Sequence, residues 1–434
     1  MLKIMFKIKI VFWWMKYYFR KKFKNRTELI KFQDKKLQKF ASKILSKSVY
    51  YNKFFKLKKF DWNKVPIITK QEFMKYFDEI NTVGINKNEA IKIALESEKN
   101  RDFKSTIKGI TIGLSTGTSG TRGLFLASEN EKAKWTALIM NRVIKPNFKK
   151  KQKIAFFLRA NSNLYSSVES SLFQFKYFDI FKPINELLIE LNKFQPNILA
   201  AQPSVLIDIV IAQKSKGICI NPSQIISFAE VLHIEDKSFI KTQFQCKFTE
   251  IYQCTEGFLG VSCEFETMHI NEDFIRMEKE YIDENKFYPI ITDFSRTSQP
   301  VVKYRLNDIL ICKKNQCKCG SQLMAIEKII GRDDDVLEFL FENKKIKIYP
   351  DLICRRIALV IDVFFKYQII QKSNVLLEIY IESDHLLFND IKQKIEKELL
   401  QLFKEFGLNS VNLSFHNYIQ NLKGNKNRKI LKSL

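Results

Sequence analysis

The stretch LSTGTSGTRG, Leu114 to Gly123, hangs between two apolar runs, GITIG and LFLAS. Apart from the leucine it contains only Ser, Thr, Gly and Arg. The backbone N–H groups of Gly117, Gly120 and Gly123 can approach phosphate oxygens with no Cβ in the way. Ser115, Thr116, Thr118, Ser119 and Thr121 add hydroxyl donors, and Arg122 adds a charge that cannot be neutralised. Such a loop has two readings: a flexible hairpin turn, or a cradle for a polyphosphate. No Gly-Lys-Ser/Thr follows, so it is not a Walker A loop.

A second set of residues has the chemistry of a metal site. Cys263 and His269 stand in SCEFETMH, and Cys317 and Cys319 in NQCKCG. Three thiolates and one imidazole form a structural zinc set with no open position. The alternative is reduced, unligated thiols. Cys246, Cys254 and Cys312 are read as core or spare residues. His233 precedes an acidic pair in HIED, but no Ser or Cys elbow accompanies it, so a hydrolase triad is not supported. No GxGxxG follows a strand to suggest a dinucleotide fold.

After the opening loop come FAEVL, YQCTEG, TDFSRTSQPVVKYRLND and GRDDD, in that order. The set resembles the adenylate-forming enzymes, within them the phenylacetate–CoA ligase branch, and closest of all the coenzyme F synthetase-related proteins of bacteria and archaea. The resemblance spans roughly residues 60 to 340, and VPIITKQEFMKYFDEINTVGI fits the same group. Each motif also has a physical reading. Tyr252 offers a flat ring for adenine to stack on. Thr255 offers a hydroxyl for the α-phosphate, and Glu256 a hard oxygen ligand for magnesium. The resemblance assigns the same roles to these positions. It implies that Asp308 accepts the ribose hydroxyls and that Ala229 and Glu230 line the purine pocket. Arg305 is left between two partners, Asp293 and the nucleotide. The resemblance also implies a hinge at GRDDD, with Arg332 on ribose or phosphate and Asp334 absorbing the backbone change. It further implies a lysine near the C-terminus that reaches the site. Lys423, Lys426 and Lys429 compete for that role, with Lys426 preferred; a solvated basic tail is the alternative. A structural zinc is compatible with the ligase branch. Many relatives carry Pro-Lys where this loop ends in Thr121-Arg122-Gly123, which makes Arg122 the cation for the leaving pyrophosphate.

These residues need elements to position them. Residues about 27 to 105 read as helical, and 107 to 127 as strand, loop, strand. Glu129 to Ile144 has helical spacing, with Trp135, Leu138, Ile139 and Arg142 recurring at three to four. KIAFFLRA reads as a buried strand. NILAAQPSVLIDIVIAQ reads as a strand followed by a helix, with Pro203 at the helix start, where its missing N–H costs nothing. Strands at SQIIS and FTEIYQC continue the alternation, so the fold class is α/β. The last hundred residues read as strand, helix, strand: NVLLEIYIES, NDIKQKIEKELLQLFKEFG and NSVNLSFHNYI. The expected organisation is a large N-terminal domain, 1–331, with mixed sheets flanked by helices, and a small α+β lid domain, 332–434. Residues 1–60 form a helical, basic and aromatic lead-in.

The net charge of +26, from 73 Lys and Arg against 47 Asp and Glu, suggests an anionic partner. The lysines are spread along the whole chain among abundant Ile, Asn and Phe, which reads as AT-rich codon usage. No nucleic-acid-binding signature accompanies them, and no nucleic-acid partner is expected. In MLKIMFKIKIVFWWMKYYFRKKFKNR the longest uncharged run, Ile10 to Met15, is far shorter than the roughly 20 residues of a membrane span. No small-residue cleavage site follows, so a signal peptide is not indicated. A helix packed on the first domain is the leading reading, with peripheral membrane contact through residues 1–22 as the alternative. The compartment is read as reducing and cytoplasmic. The sequence does not set the oligomeric state; a homodimer is compatible with it. The expected activity is ATP- and magnesium-dependent formation of an acyl-AMP from a small-molecule acid, then acyl transfer to a thiol such as CoA. The alternatives are placement of AMP on a cofactor hydroxyl, and a non-catalytic basic binding protein.

Overall fold

The protein, described by a computed structural model, is seen at residues 2–57, 59–102, 105–115, 122–144, 150–158, 172–342, 344–362, 365–383, 385–417 and 428–433. One twelve-stranded sheet organises the larger part of the chain. Its first half is parallel: Phe173–Asp179, Gln152–Leu158, Ile198–Ala201, Gln224–Ser227 and Lys247–Cys254 lie side by side in that order. Helices Ile184–Phe194, Pro203–Lys214 and Ile234–Phe244 alternate with these strands. Parallel neighbours need a crossover, and the helices that supply it bury both faces of the sheet. Short apolar strands result. Ile198 and Ala200 enter one core, and Leu199 and Ala201 the other.

At Lys247–Cys254 the sheet changes from parallel to antiparallel. The chain turns back into Gly257–Ser262, followed in the sheet by Met268–Ile270, Ala325–Arg332, Asp308–Cys312, Lys286–Asp293 and Ile275–Tyr281. A Cβ at Gly257 would lie 2.9 Å from Asp293 Oδ2, so a larger residue at this turn would push that carboxylate aside.

A separate antiparallel sheet, Thr106–Ile107, Ile110–Leu114 and Leu124–Ala127, holds both ends of the Gly/Ser/Thr loop. The helical reading of 27–105 is broken by a short hairpin, Phe55–Lys56 with Lys59–Phe60. There the rings of Phe54, Phe55, Phe60 and Trp62 pack edge to face and override the helical pattern. Helix Glu129–Ile139 starts from a Ser128–Glu131 capping box, and its continuation, Met140–Ile144, widens into a π-helical turn. Helix Leu2–Tyr18 packs on it through Phe6, Ile10 and Tyr17, which are buried. Trp13 Nε1 donates to Asn130 Oδ1 at 2.9 Å, and Lys9 meets Glu129 at 2.7 Å.

Residues from Leu337 to Ile430 gather a second apolar core. A four-stranded sheet, Asn412–Asn417, Leu376–Ile381, Tyr367–Ser373 and Ile430–Lys432, is backed by helices Pro350–Ala358 and His385–Glu405. Leu377, Ile379 and Ile381 enter this core at the period of a strand, and Ile391, Ile395, Leu399 and Leu402 at that of a helix. Among the described residues, no helix is long and apolar enough to cross a membrane.

Candidate functional site

The parallel strands end at the edge of a cleft of about 610 Å³. In α/β sheets ligands bind beyond the carboxyl ends of such strands. Strand Lys247–Cys254 delivers Tyr252, whose hydroxyl donates to Asp308 Oδ2 at 2.7 Å. Asp308 begins strand Asp308–Cys312 and pairs in register with Arg332, whose Nε lies 3.4 Å from Asp308 Oδ1. Burial raises the Tyr252 phenol well above its ordinary range, and Asp308 adds to the effect, so Tyr252 is a neutral donor. After strand Gln224–Ser227 come Ala229 and Glu230, both lining the same cleft. Ala229 has φ +70°, a left-handed conformation that costs a non-glycine residue roughly 1 kcal/mol. Glu230 accepts the backbone N–H of Ser204 at 3.2 Å and so caps helix Pro203–Lys214.

Thr255 and Glu256 follow Tyr252 into a narrow space shared with Gly123 and Lys70. The Tyr304 hydroxyl donates to Glu256 Oε1 at 2.8 Å. Lys70 opens helix Lys70–Lys75, and burial lowers its pKa despite the nearby Glu256 carboxylate. Its Cε would lie 3.3 Å from a Cβ at Gly123, so its stem crosses the neck of the Gly/Ser/Thr loop. Lys70 and Tyr304 escaped the sequence reading. One lysine among so many carries no signal of its type, and the tyrosine lies in a strand far from YQCTEG. The loop itself, Thr116, Gly117, Thr118, Ser119, Gly120 and Thr121, lies outside the described residues. Its neck is tied by Ser115 N to Gly123 O at 2.7 Å and by Gly123 N to Ser115 Oγ at 2.6 Å. Arg122 donates from Nε to Ser115 O at 3.0 Å and meets Glu98 at 2.5 Å.

Of the two expected partners of Arg305, Asp293 is not the one it meets. It pairs with Glu280 and stacks 3.8 Å over the Tyr288 ring. Its strand, Val301–Arg305, lies beside Lys286–Asp293, but Asp293 is satisfied locally by Ser295 N at 2.7 Å and by the Ser295 hydroxyl. In GRDDD, Gly331 has φ +149°, and a Cβ there would press on Pro350 Cγ at 3.3 Å. Asp333–Asp335 form one 3-10 turn. Asp334 accepts from Asn307 Nδ2 at 2.6 Å and lies 3.2 Å from Arg428, which also pairs with Asp335. Lys423 and Lys426 lie outside the described residues. Lys429 reaches the buried Asp236 at 3.1 Å.

Beside this site opens a second cavity, of about 270 Å³, bounded by helix Glu129–Ile139, its π-turn and the parallel strands. Trp135, Ile139, Val143, Phe156, Phe175 and Ile226 form its walls, and Ser115, Gln253 and Thr255 lie along its lining as well. No described lining residue is charged.

The four metal-type residues converge on one another, and none of them lines either cavity. One ligand atom from each of Cys263, His269, Cys317 and Cys319 lies within 4.8 Å of all the others. Cys263 Sγ is 3.6 Å from Cys317 Sγ, and Cys319 Sγ is 3.3 Å from His269 Nε2. Tetrahedral zinc with Zn–S of about 2.3 Å and Zn–N of about 2.0 Å places sulfurs about 3.8 Å apart and S and N about 3.5 Å apart. His269 Nδ1 sits 3.1 Å from Leu323 O, which places the proton on Nδ1 and leaves Nε2 to face the thiols. The donor set and its spacing fit zinc. None of the eight cysteines is in a disulfide; Cys219, Cys246, Cys254, Cys312 and Cys354 stand apart from the cluster.

No protein-family model and no curated protein matches the sequence. Solved structures do resemble the fold. A 2-hydroxyisobutyryl-CoA ligase in the postadenylation state, in complex with 2-HIB-AMP, aligns with TM-score 0.64 at 14% identity, over 94% of this chain and 89% of that one. The fold is shared. The amide bond synthetase McbA from Marinactinospora thermotolerans aligns with TM-score 0.52 at 8% identity, over 75% of this chain and 69% of that one. The anthranilate CoA ligase AuaEII, in complex with anthranoyl-AMP, aligns with TM-score 0.50 at 11% identity, over 73% and 66%. At these identities the likeness establishes the α/β architecture alone.

Proposed function

We propose that this chain is an ATP-dependent adenylating enzyme acting on a small carboxylic acid with an apolar body. One observation carries the reading: Tyr252, Asp308 and Arg332 meet at the strand ends, Glu256 and Thr255 follow directly, and a cavity whose described lining carries no charge opens beside Thr255. Tyr252 and Asp308 hold adenosine by ring and ribose. The carboxylate oxygen of the acid attacks the α-phosphorus, the bond to the β-phosphate oxygen breaks, and pyrophosphate leaves. No proton changes hands in this step, so the protein's task is alignment and charge neutralisation. Thr255, Lys70 and Arg122 supply donors and cations; Arg122 exchanges Glu98 for the pyrophosphate. Glu256, its carboxylate held by the Tyr304 hydroxyl, is the residue that would hold magnesium, which would supply charge neutralisation to the phosphates. A thiol such as CoA then takes the acyl group as its thiolate, releasing AMP.

In this proposal residues 332–434 are a lid turning about Asp334, and a tail lysine, Lys426, reaches the site during adenylation. The affiliation with the phenylacetate–CoA ligase branch and the coenzyme F synthetase-related proteins rests on motif order and belongs to the same proposal. Zinc at Cys263, His269, Cys317 and Cys319 has a structural role. The small cavity, apolar in its described walls, favours an apolar acid over the hydroxyl of a large polar cofactor.

The test is exchange of labelled pyrophosphate into ATP across a panel of carboxylic acids. Acid-dependent exchange is expected, strongest for apolar acids, with AMP released on adding a thiol and exchange lost in Glu256→Ala. A stable AMP ester on a hydroxyl compound, or full exchange in Glu256→Ala, would overturn the proposal.

A further inference from the structure

Helix Leu2–Tyr18 is apolar on two sides, and only one of them is covered. Its inner side, Phe6, Ile10 and Tyr17, is buried. Just past the helix Arg20 pairs with Asp273 and lies 4.9 Å over the Phe274 ring, which pins this segment to the body of the protein. At 3.6 residues per turn, Val11, Ile4, Met15, Ile8 and Phe12 fall within one outward arc of about 100°. These five are 43 to 65% exposed, and Phe19 beyond the last turn is 75% exposed. Isolated exposed apolar residues need no explanation, but a continuous stripe along a whole helix does.

Charge surrounds the stripe without entering it. Exposed Lys7 and Lys16 stand at its two edges, each about 40° from the nearest apolar member. Exposed Lys21, Lys22 and Lys24 follow its end, and no acidic residue occurs between residues 2 and 27. A second copy of this helix laid against the stripe would bring lysine rows together, whereas a surface that is apolar below and anionic above satisfies both features. We propose that helix Leu2–Tyr18 lies on an anionic membrane surface, its outer stripe at the headgroup–acyl boundary and its lysines against lipid phosphates. It does not cross the bilayer, because the lysines interrupt every apolar run well short of a span. The inference does not depend on the adenylation chemistry.

Cosedimentation of the intact chain with vesicles of phosphatidylcholine alone, and of phosphatidylcholine mixed with phosphatidylserine, tests it. The chain should partition onto the phosphatidylserine vesicles, and partitioning should weaken as salt rises. The double variant Ile8→Glu with Phe12→Glu should lose about tenfold or more of that partitioning. Its thermal unfolding midpoint should stay unchanged, because both side chains are exposed. Equal sedimentation of wild type and variant, or no preference for the anionic vesicles, would overturn the proposal. So would self-association of the wild type, abolished in the variant, without vesicle binding: that result assigns the stripe to a second copy.

Discussion

Asp308 accepts a hydrogen bond from the buried Tyr252 phenol and faces the Arg332 guanidinium. A carboxylate has about four acceptor positions, so two partners leave room for two ribose hydroxyls. Burial works against charge on Arg332, but Asp308, Asp334 and Glu256 outweigh it and hold its pKa above the ordinary value. The guanidinium therefore stays charged while the site is desolvated. Asp308→Ala should abolish acid-dependent pyrophosphate exchange. Tyr252→Phe keeps the ring and removes only one hydrogen bond to a charged group, a loss of about 1.5–3 kcal/mol, so exchange should fall roughly tenfold to a hundredfold. Unaltered exchange in Asp308→Ala would remove Asp308 from the nucleotide site.

At the scale of elements, the four metal-type residues lie on three separate pieces of chain. Cys263 directly follows strand Gly257–Ser262, His269 lies within Met268–Ile270, and Cys317 and Cys319 occupy the loop between Asp308–Cys312 and Ala325–Arg332. These strands are neighbours or near neighbours in the antiparallel half of the sheet, so a metal here would fasten a loop to the strands beside the site. Elemental analysis of the purified protein should find about one zinc per chain. Cys317→Ser should lose most of it and unfold at a lower temperature. A wild type with negligible zinc, or a variant that keeps its full content, would sink the metal assignment. Pyrophosphate exchange measured on the same preparations separates a structural metal from a catalytic one.

Across the whole molecule, the C-terminal part meets the helices of the parallel sheet through ion pairs. Lys429 meets Asp236 on helix Ile234–Phe244, and Lys366 meets Asp208 on helix Pro203–Lys214, both at 3.1 Å. Burial raises the pKa of both aspartates, and the lysines oppose that shift. Any rotation of the C-terminal part must leave these carboxylates without their partners, which costs free energy. Asp236→Asn removes that cost and loosens the observed arrangement. Limited proteolysis near residue 332 should then run several-fold faster than in the wild type, with the thermal midpoint of the larger part little changed. Identical cleavage rates would show that this pair does not hold the two parts together.

The sequence by itself determined the alternation of strands and helices in the α/β core. Apolar periodicity and turn residues are local properties, and they placed Pro203 at the first turn of its helix and Thr255–Glu256 just beyond a strand. The helix expected over 129–144 held only to Ile139, where the backbone widens to make the cavity wall. Only the tertiary structure decided which distant groups meet. Lys70 against the loop neck, Tyr304 on Glu256, Arg305 on Glu280 and the outward stripe of the first helix all depend on strand order and packing between residues far apart in the chain. Periodicity reports that a residue has a face; it takes the assembled sheet to say what that face meets.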